Sequence, residues 1–231
     1  AFQNEEKEKR AAELIIANKE LLAFTYISSH DLQEPLRKIQ TFVTIILENE
    51  NKNLSEKGKY NFQRMQLAAG RMQQPIDDLL AFSRINTTDH QFEKTDLNLI
   101  IEEVKNELRD TMQEKHASIE VTEICPANII PFQFRQLMYN LISNALKFSN
   151  PDIPAHIIVN SSIVNGGDPD NQYFSPEKKY CHITVKDNGI GISEENKPYV
   201  FEPKFTTKTS GMGLGLGIIK KIIENYNGTI T

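Results

Sequence analysis

The sequence predicts an α+β protein in which a helical hairpin is followed by an α/β sandwich. Two observations support this fold class. From about Glu5 to Glu48 there is no glycine, and apolar residues recur at alternating spacings of four and three, as expected for long helices that pack along a seam. After Thr87 the periodicity changes and short strand-like and helical segments follow one another, which is typical of one sheet covered by helices.

The first part of the chain is predicted to form two long helices joined by a polar turn. The turn is ENENKNLSEKG, and the second helix begins at about Ser55. A single hairpin has no other surface against which to bury its apolar seam, so we expect a homodimer in which two hairpins form a four-helix bundle. The predicted seam positions are, in the first helix, Leu32, Leu36, Ile39, Val43 and Ile46 and, in the second, Met65, Ala69, Met72, Ile76, Leu79 and Ser83.

The second part of the chain is predicted to be the sandwich. Asp96 is a suitable N-cap for a helix from about Leu97 to Lys115. A Gly-, Asp- and Pro-rich stretch from Asn165 to Lys179 separates two strands and is expected to be an exposed loop. The other predicted elements are, in order, the strand ASIEVTEI, the helix PFQFRQLMYNLISNALKFSN, the strands HIIVNSSIV and CHITVKD, a helix from about Leu214 to Asn225, and the start of a strand in NGTIT.

Composition excludes several classes of protein. A composition of 39% hydrophobic and 25% charged residues is typical of a globular protein, and a length of 231 residues is enough for two domains. The net charge of −5 gives no reason to expect a nucleic-acid partner. No apolar run approaches the roughly 20 residues of a membrane span, so we expect no membrane contact by this fragment and a cytoplasmic location. Cys125 and Cys181 lie far apart in the sequence, and both are predicted to be buried core thiols rather than a disulfide.

A histidine in the first helix is a candidate for nucleophilic chemistry. His30, in SSHDLQEPLRKI, follows the seam position Ser29, which places its ring at the edge of the bundle. An imidazole is largely neutral at pH 7, so one ring nitrogen carries a lone pair that can attack phosphorus, and the adjoining Asp31 can hold the proton on the other nitrogen. Pro35 removes a helical hydrogen bond and predicts a bend nearby. A His–Asp pair on a helix is by itself usually a solvated pair, so the interpretation needs a phosphate donor.

Four separated segments in the second part of the chain suit a bound nucleotide, and one of them, YVFEPKFTTKTS, is a stretch able to close over it. In NLISNALKFS, Asn140, Asn144 and Lys147 follow one another at spacings of four and three and share one helix face, where amide oxygen suits Mg²⁺ and lysine suits phosphate. In DNGIG, Asp187 can accept a hydrogen bond from an exocyclic amine. GMGLGLG opens the last helix, where backbone N–H groups can cradle anionic oxygens. A Rossmann loop is excluded there, because such a loop follows the first strand of a βαβ unit.

In this order the segments resemble the sensor histidine kinases of two-component signalling. SHDLQEPL resembles the phosphoacceptor box, NLISNALKFS the N box, DNGIG the first glycine box, FEPKFTTK the F box and GMGLGLG the second glycine box. The resemblance runs from about Leu21 to the C-terminus. It implies a dimerisation and phosphotransfer hairpin at 21–88, a Bergerat-type ATP-binding domain at 95–231 that lacks its last strands, and a signalling coiled-coil helix at 1–20.

The resemblance also implies a role for individual residues. His30 would be phosphorylated from ATP, with Asp31 as its acidic assistant, and would pass the phosphoryl group to an aspartate on a response-regulator receiver domain. Asn144 would ligate Mg²⁺. An upstream sensor domain is expected in the full-length chain. The residues implied to bind the nucleotide are Asn140, Lys147, Asp187, Gly189, Gly191, Phe201, Thr206, Gly211, Gly213, Leu214 and Gly215.

Glu34 departs from the family pattern. Many relatives carry Thr or Asn four residues after the phosphoacceptor, where it assists dephosphorylation of the partner, and Glu34 stands at that place here. The segment between Lys204 and Gly211 is also a short lid, and 86–94 is the expected hinge between the two domains.

Two alternative functions stay open. The first is ATP hydrolysis, as in DNA gyrase and heat-shock chaperones, which share the glycine boxes. Those enzymes typically activate water with a Glu one turn before the metal-binding Asn, where this chain has Asn140, and an amide cannot act as a general base. The second is a degenerate kinase that only scaffolds a signalling complex.

Overall fold

The chain divides into two compact units, a helical hairpin and an α+β domain. The structure is a computed structural model, and it describes residues 2–85, 91–122, 124–166, 175–202 and 214–230. The first unit contains the two long helices, and the second contains every other described element. Among the described helices we find no stretch with the length and hydrophobicity of a membrane span. The predicted α+β class is confirmed.

The hairpin consists of α1 (Phe2–Asn49) and α2 (Glu56–Ile85). Ser55 lies just before α2 and accepts a hydrogen bond from the Gly58 amide at 3.1 Å, in the manner of an N-cap. The α1 helix continues without interruption through Pro35. The turn and the start of α2 therefore lie where the sequence predicts them.

The predicted seam is buried at only some of its positions. In α1, Ser29, Leu36 and Val43 are buried at spacings of seven residues, and in α2 Ala69 and Ser83 are buried 14 residues apart, which is twice that spacing. The intervening seam positions Leu32, Ile39, Met65 and Met72 are about half exposed. The single hairpin thus covers one strip of the seam and leaves a second strip, 32/39/65/72, in contact with solvent.

Within its described residues the second unit has a three-stranded mixed sheet, a two-stranded sheet and four α-helices. In the larger sheet the order is β2-β4-β5, with β4 parallel to β2 and antiparallel to β5; β1 and β3 pair antiparallel. The elements are β1 (Glu93–Thr95), α3 (Leu97–Glu107), α4 (Arg109–Glu114), β2 (Ser118–Val121), β3 (Ala127–Ile129), α5 (Pro131–Lys147), β4 (His156–Asn165), β5 (Lys179–Asp187), a 3₁₀ turn (Lys197–Tyr199) and α6 (Gly215–Asn225).

The core of the second unit lies between the helices and the larger sheet. The helix α5 begins at Pro131, which is well suited to a first helical position, and packs against both α3 and α6. Ile157 and Val159 alternate toward the buried face of β4, as expected for a half-covered sheet. Asp96 caps α3 as predicted, since its Oδ1 accepts the Asn98 amide at 3.0 Å. The fully buried core side chains include Leu97, Ile101, Phe134, Met138, Ile142, Leu146, Ile218, Ile219 and Ile222.

Three predicted elements differ from the structure. The helix predicted from Leu97 to Lys115 is broken at Leu108, whose side chain is buried where α3 ends and α4 begins. The end of the predicted hinge, Glu93 and Lys94, forms part of β1 because it pairs with β3. Residues 228–230, read as the start of a strand, make no strand pairing within the described part of the chain.

The prediction that both cysteines are core residues is wrong. Cys125 and Cys181 are only partly buried. Cys181 lies on β5, the edge strand of the larger sheet, opposite Ile163 of β4, which is 53% exposed. The two sulfur atoms are nevertheless neighbours, 3.1 Å apart, because strand pairing brings together positions that are remote in the sequence.

Candidate functional site

His30 stands on the solvent-exposed edge of the hairpin. Its side chain is 66% exposed, whereas the preceding Ser29 is 2% exposed, so one residue of α1 separates the buried seam from an accessible ring. Asp31 is also exposed, and its Oδ1 lies 3.6 Å from the His30 Nδ1. That distance is too long for a hydrogen bond but suits a favourable charge interaction. It leaves Nε2 as the ring nitrogen that faces away from the carboxylate.

A polar groove of about 550 Å³ lies beside His30. Both helices of the hairpin line it, and Asp77 of α2 accepts hydrogen bonds from Gln33 at 2.7 Å and Gln73 at 2.8 Å. This three-residue bridge ties α2 to the turn of α1 that follows His30. The groove is lined by His30, Gln33, Glu34, Arg37, Gln40 and Gln73.

Glu34 is an exposed carboxylate in the same groove. Its Oε1 lies 2.7 Å from the Lys38 Nζ one turn further along α1. The hydrogen bond and the charge of Lys38 lower the pKa of Glu34 below its usual value. The position that carries Thr or Asn in many relatives is therefore an ionised acid here at neutral pH.

The predicted polar face of α5 is present in the second unit. Asn140 is 5% exposed, Asn144 is partly buried and Lys147 at the end of the helix is exposed. The Asn140 Nδ2 is buried and has no hydrogen-bond partner among the described residues. A buried amide without a partner is costly in an apolar core. Its presence on this face fits a site that a polar ligand completes.

The first turn of α6 lies against that polar face. A Cβ added at Gly215 would stand 3.9 Å from both the Asn140 Oδ1 and the Asn144 Nδ2. The N-terminus of α6 therefore adjoins the two amides, and helix N-termini favour anions. The residues present fit a nucleotide phosphate with a magnesium ion, because they combine amide oxygens, a lysine and a helix N-terminus in one unit.

The DNGIG loop is fixed tightly against the end of α5. The Gly189 amide donates to the Asp187 Oδ1 at 2.8 Å, and the Ile190 amide donates to the carbonyl of Phe148, the C-cap of α5, at 3.0 Å. A Cβ at Gly189 would lie 2.6 Å from that carbonyl oxygen, so only glycine fits. Gly191 has φ +70, in the left-handed region that favours glycine. Asp187, at the end of β5, remains exposed.

The other predicted binding residues fall in two groups. Phe201 is partly buried in the turn after the 3₁₀ helix, and Leu214 directly precedes α6. Thr206, Gly211 and Gly213 lie outside the described residues. The structure thus brings together Asn140, Asn144 and Gly215, and separately joins Asp187, Gly189 and Phe148.

Sequence reasoning missed Asp77 and Asn188. Asp77 bridges the two helices beside His30, and no pattern within α2 alone indicates this contact. Asn188 anchors the DNGIG loop, because its Oδ1 accepts the His156 amide at 2.8 Å and its Nδ2 donates to the Pro154 carbonyl at 3.0 Å. An Asn directly after a strand and before glycine is a turn signal that could have identified Asn188.

Comparison with known families gives an independent identification. Residues 20–88 match the His Kinase A (phospho-acceptor) domain, and residues 130–231 match the histidine kinase-, DNA gyrase B- and HSP90-like ATPases. The first match includes His30 and most of the hairpin, and the second includes the Asn140 face of α5. The chain therefore belongs to the sensor histidine kinases and carries both a phospho-acceptor domain and an ATPase domain.

Individual relatives support this assignment. The chain is 31% identical over 224 residues to cyanobacterial phytochrome B of Nostoc sp., covering 94% of this chain and 28% of that protein. It is 31% identical over 232 residues to phytochrome-like protein Cph1 of Synechocystis sp., covering 99% of this chain and 29% of that protein. The chain therefore spans less than a third of the length of these relatives.

A solved structure shows the same fold. The crystal structure of full-length ShkA in complex with AMPPNP superposes with a TM-score of 0.63 at 20% identity, covering 91% of this chain and 42% of that one. At this level of identity the likeness concerns the fold alone.

Proposed function

We propose that this chain transfers the γ-phosphoryl group of ATP to His30 and then to an aspartate of a response-regulator receiver domain. The observation that carries the proposal is the exposure of His30 next to the buried Ser29, in a chain that also contains an ATPase domain. An accessible neutral imidazole is a competent nucleophile toward phosphorus. The nature of the partner, and the transfer of the phosphoryl group from His30 to it, are inferred from the family alone.

The nucleotide site of this proposal is the Asn140 face together with the DNGIG loop. Asp187 would accept a hydrogen bond from the adenine amine, with Gly189 and Gly191 lining the base pocket. Asn140, Lys147 and the start of α6 at Gly215 would lie along the phosphates. The remaining proposed contacts are Phe201, Thr206, Gly211, Gly213 and Leu214.

Asn144 would hold a magnesium ion, which neutralises phosphate charge when bound. The side-chain amides of Asn140, which is buried, and Asn144, which is partly buried, supply neutral oxygens. A carboxylate in their place would repel the phosphates. This choice of side chains favours binding and positioning of the nucleotide over activation of water. It therefore supports phosphotransfer rather than simple hydrolysis.

The reaction at His30 is a displacement at phosphorus. The lone pair of Nε2 forms the N–P bond, the bond from the γ-phosphorus to the bridging oxygen breaks, and ADP leaves. The proton on Nδ1 remains on the ring and faces the Asp31 carboxylate, which lies 3.6 Å away. That carboxylate stabilises the positive charge of the phosphorylated imidazole.

Incubation with γ-labelled ATP and Mg²⁺ tests the proposal. We expect acid-labile, alkali-stable label on the protein, lost in His30→Ala and kept in His182→Ala, which removes an exposed histidine from β5. Added receiver domain should take up the label while the kinase loses it. Free phosphate without labelled protein would support the ATPase alternative. The absence of both free phosphate and labelled protein would support the scaffold alternative.

We also propose that two hairpins form a homodimer through the exposed strip 32/39/65/72. The four side chains repeat at seven-residue spacing on α1 and α2 and are 48–57% exposed, which is the pattern of a four-helix bundle lacking half of its helices. Ile39→Glu should shift the protein to monomer in sedimentation equilibrium. Ile163→Glu, at a similarly exposed apolar residue of β4, is the matched control and should leave the association unchanged.

A further inference from the structure

Two thiols meet at one edge of the ATPase domain, away from the proposed nucleotide site. The Cys125 Sγ lies 3.1 Å from the Cys181 Sγ and 3.2 Å from the Ser161 Oγ. Cys181 and Asp187 are at opposite ends of β5, six positions apart, which is roughly 20 Å along a strand. The proposed function makes no use of either cysteine.

The fold holds the two thiols in this arrangement from both sides. The Cys125 amide donates to the Ser161 Oγ at 3.1 Å, which ties the segment before β3 to the central strand β4. On β5, Cys181 pairs in register with Ile163 of β4, so its side chain shares a sheet face with Ser161. Both residues are partly exposed to small reagents.

We propose that Cys125 and Cys181 are a redox-modification site that forms a reversible disulfide within the chain. The sulfur atoms need to approach by only about 1 Å to reach bonding distance. A disulfide-class oxidant such as oxidised glutathione accepts the electrons. Two protein S–H bonds and the S–S bond of the oxidant break, while one protein S–S bond and two S–H bonds on the reduced oxidant form.

The exchange takes two steps. One thiol of the pair attacks the oxidant and forms a mixed disulfide, and the second thiol, whose sulfur lies 3.1 Å from the first, then displaces the reduced oxidant. Metal binding is a poor alternative, because the described residues contain no group of three or more His, Cys, Asp or Glu side chains suited to a metal.

The primary test uses the unmodified chain and does not depend on kinase activity. After incubation with oxidised glutathione under native conditions, we expect no titratable thiol, a mass lower by two hydrogen atoms, and a linked Cys125–Cys181 peptide pair in a non-reducing digest. Dithiothreitol should restore both thiols. A covalent dimer, a stable glutathione adduct on the chain that has both cysteines, or two thiols that still titrate would each overturn the proposal.

Single variants test the two steps separately. Cys181→Ser should accumulate a glutathione adduct on Cys125, and Cys125→Ser an adduct on Cys181, because neither variant has a second thiol to displace the glutathione. Cys125→Ala replaces Cys125→Ser if circular dichroism shows that Cys125→Ser is misfolded. If neither variant formed an adduct, the proposal would be overturned. Closing a loop between positions 56 apart should raise the Tm of the oxidised domain by on the order of 10 °C. A lower Tm on oxidation would show that the bond distorts the domain and would refute the geometry.

Discussion

Replacing Gly189 by alanine tests the close approach of the DNGIG loop to α5. An alanine Cβ would lie 2.6 Å from the Phe148 carbonyl oxygen and 2.7 Å from the Asp187 Oδ1, whereas real Cβ atoms essentially never come within 3.0 Å of such atoms. The nearer atom belongs to the backbone of the α5 C-cap, so the loop must move by at least about 0.4 Å, and overpacking of this kind costs about 1–3 kcal/mol. The movement weakens the bonds from the Gly189 and Ile190 amides, each worth about 1 kcal/mol.

We therefore expect Gly189→Ala to lower the unfolding free energy of the ATPase domain by about 2–4 kcal/mol and to weaken nucleotide binding, since it displaces Asp187. The chain has no tryptophan, so unfolding is best followed by circular dichroism and calorimetry, and binding by a fluorescent ATP analogue.

Gly191→Ala is the matched control for this substitution. A Cβ added at Gly191 would have no atom within 4 Å, but the residue has φ +70. The substitution should therefore lower the unfolding free energy by only about 1–2 kcal/mol, through backbone strain. If Gly189→Ala is no more destabilising than Gly191→Ala, the described packing of the loop is wrong.

Three further predictions concern other parts of the chain. Gly70→Ala, in the interior of α2 with nothing within 4 Å of the added Cβ, should stabilise the hairpin by about 0.5–1 kcal/mol in thermal unfolding, and a loss of stability would mean that another chain approaches its backbone. Asn140→Leu removes a buried amide whose Nδ2 has no described partner, so it should leave the unfolding free energy unchanged or higher while nucleotide binding falls at least roughly tenfold; a large loss of stability would make the amide structural. Burial raises the pKa of Cys181 to about 12 and also raises the pKa of Tyr226, so the folded state keeps protons that the unfolded chain releases. Stability should be constant below about pH 8.5 and fall as pH rises toward 12, with a smaller fall in Cys181→Ser; a Tm that stays flat from pH 8 to 11 would contradict the burial of this thiol.

The parts of the fold that repeat over several turns were predictable from sequence. The seam in α1 located Ser29 and therefore the exposed His30, and the spacing of Asn140, Asn144 and Lys147 placed all three on one face of α5. Short strands were not predictable in this way. Three residues in β1 or β3 are too few to show a period, and each strand forms only because the other is present.

Contacts between elements were also beyond the sequence. The bridge from Asp77 to Gln33 and Gln73 depends on how α1 and α2 are aligned, which neither helix specifies alone. The meeting of Cys125 and Cys181 depends on the pairing register of β4 with β5. The break at Leu108 was not predictable either, because the buried residues Leu97, Ile101, Val104 and Leu108 keep the period of one continuous helix.

The unbroken course of α1 fixes a rotational phase between its two ends. The helix has 48 residues, a rod of roughly 70 Å in which each residue turns the chain by about 100°. Adding one residue before Ser29 would rotate every earlier side chain by that angle relative to His30, whereas adding seven would nearly restore the original orientation. Any segment joined rigidly to the start of α1 is therefore coupled to the histidine by the number of intervening residues, independently of their identity.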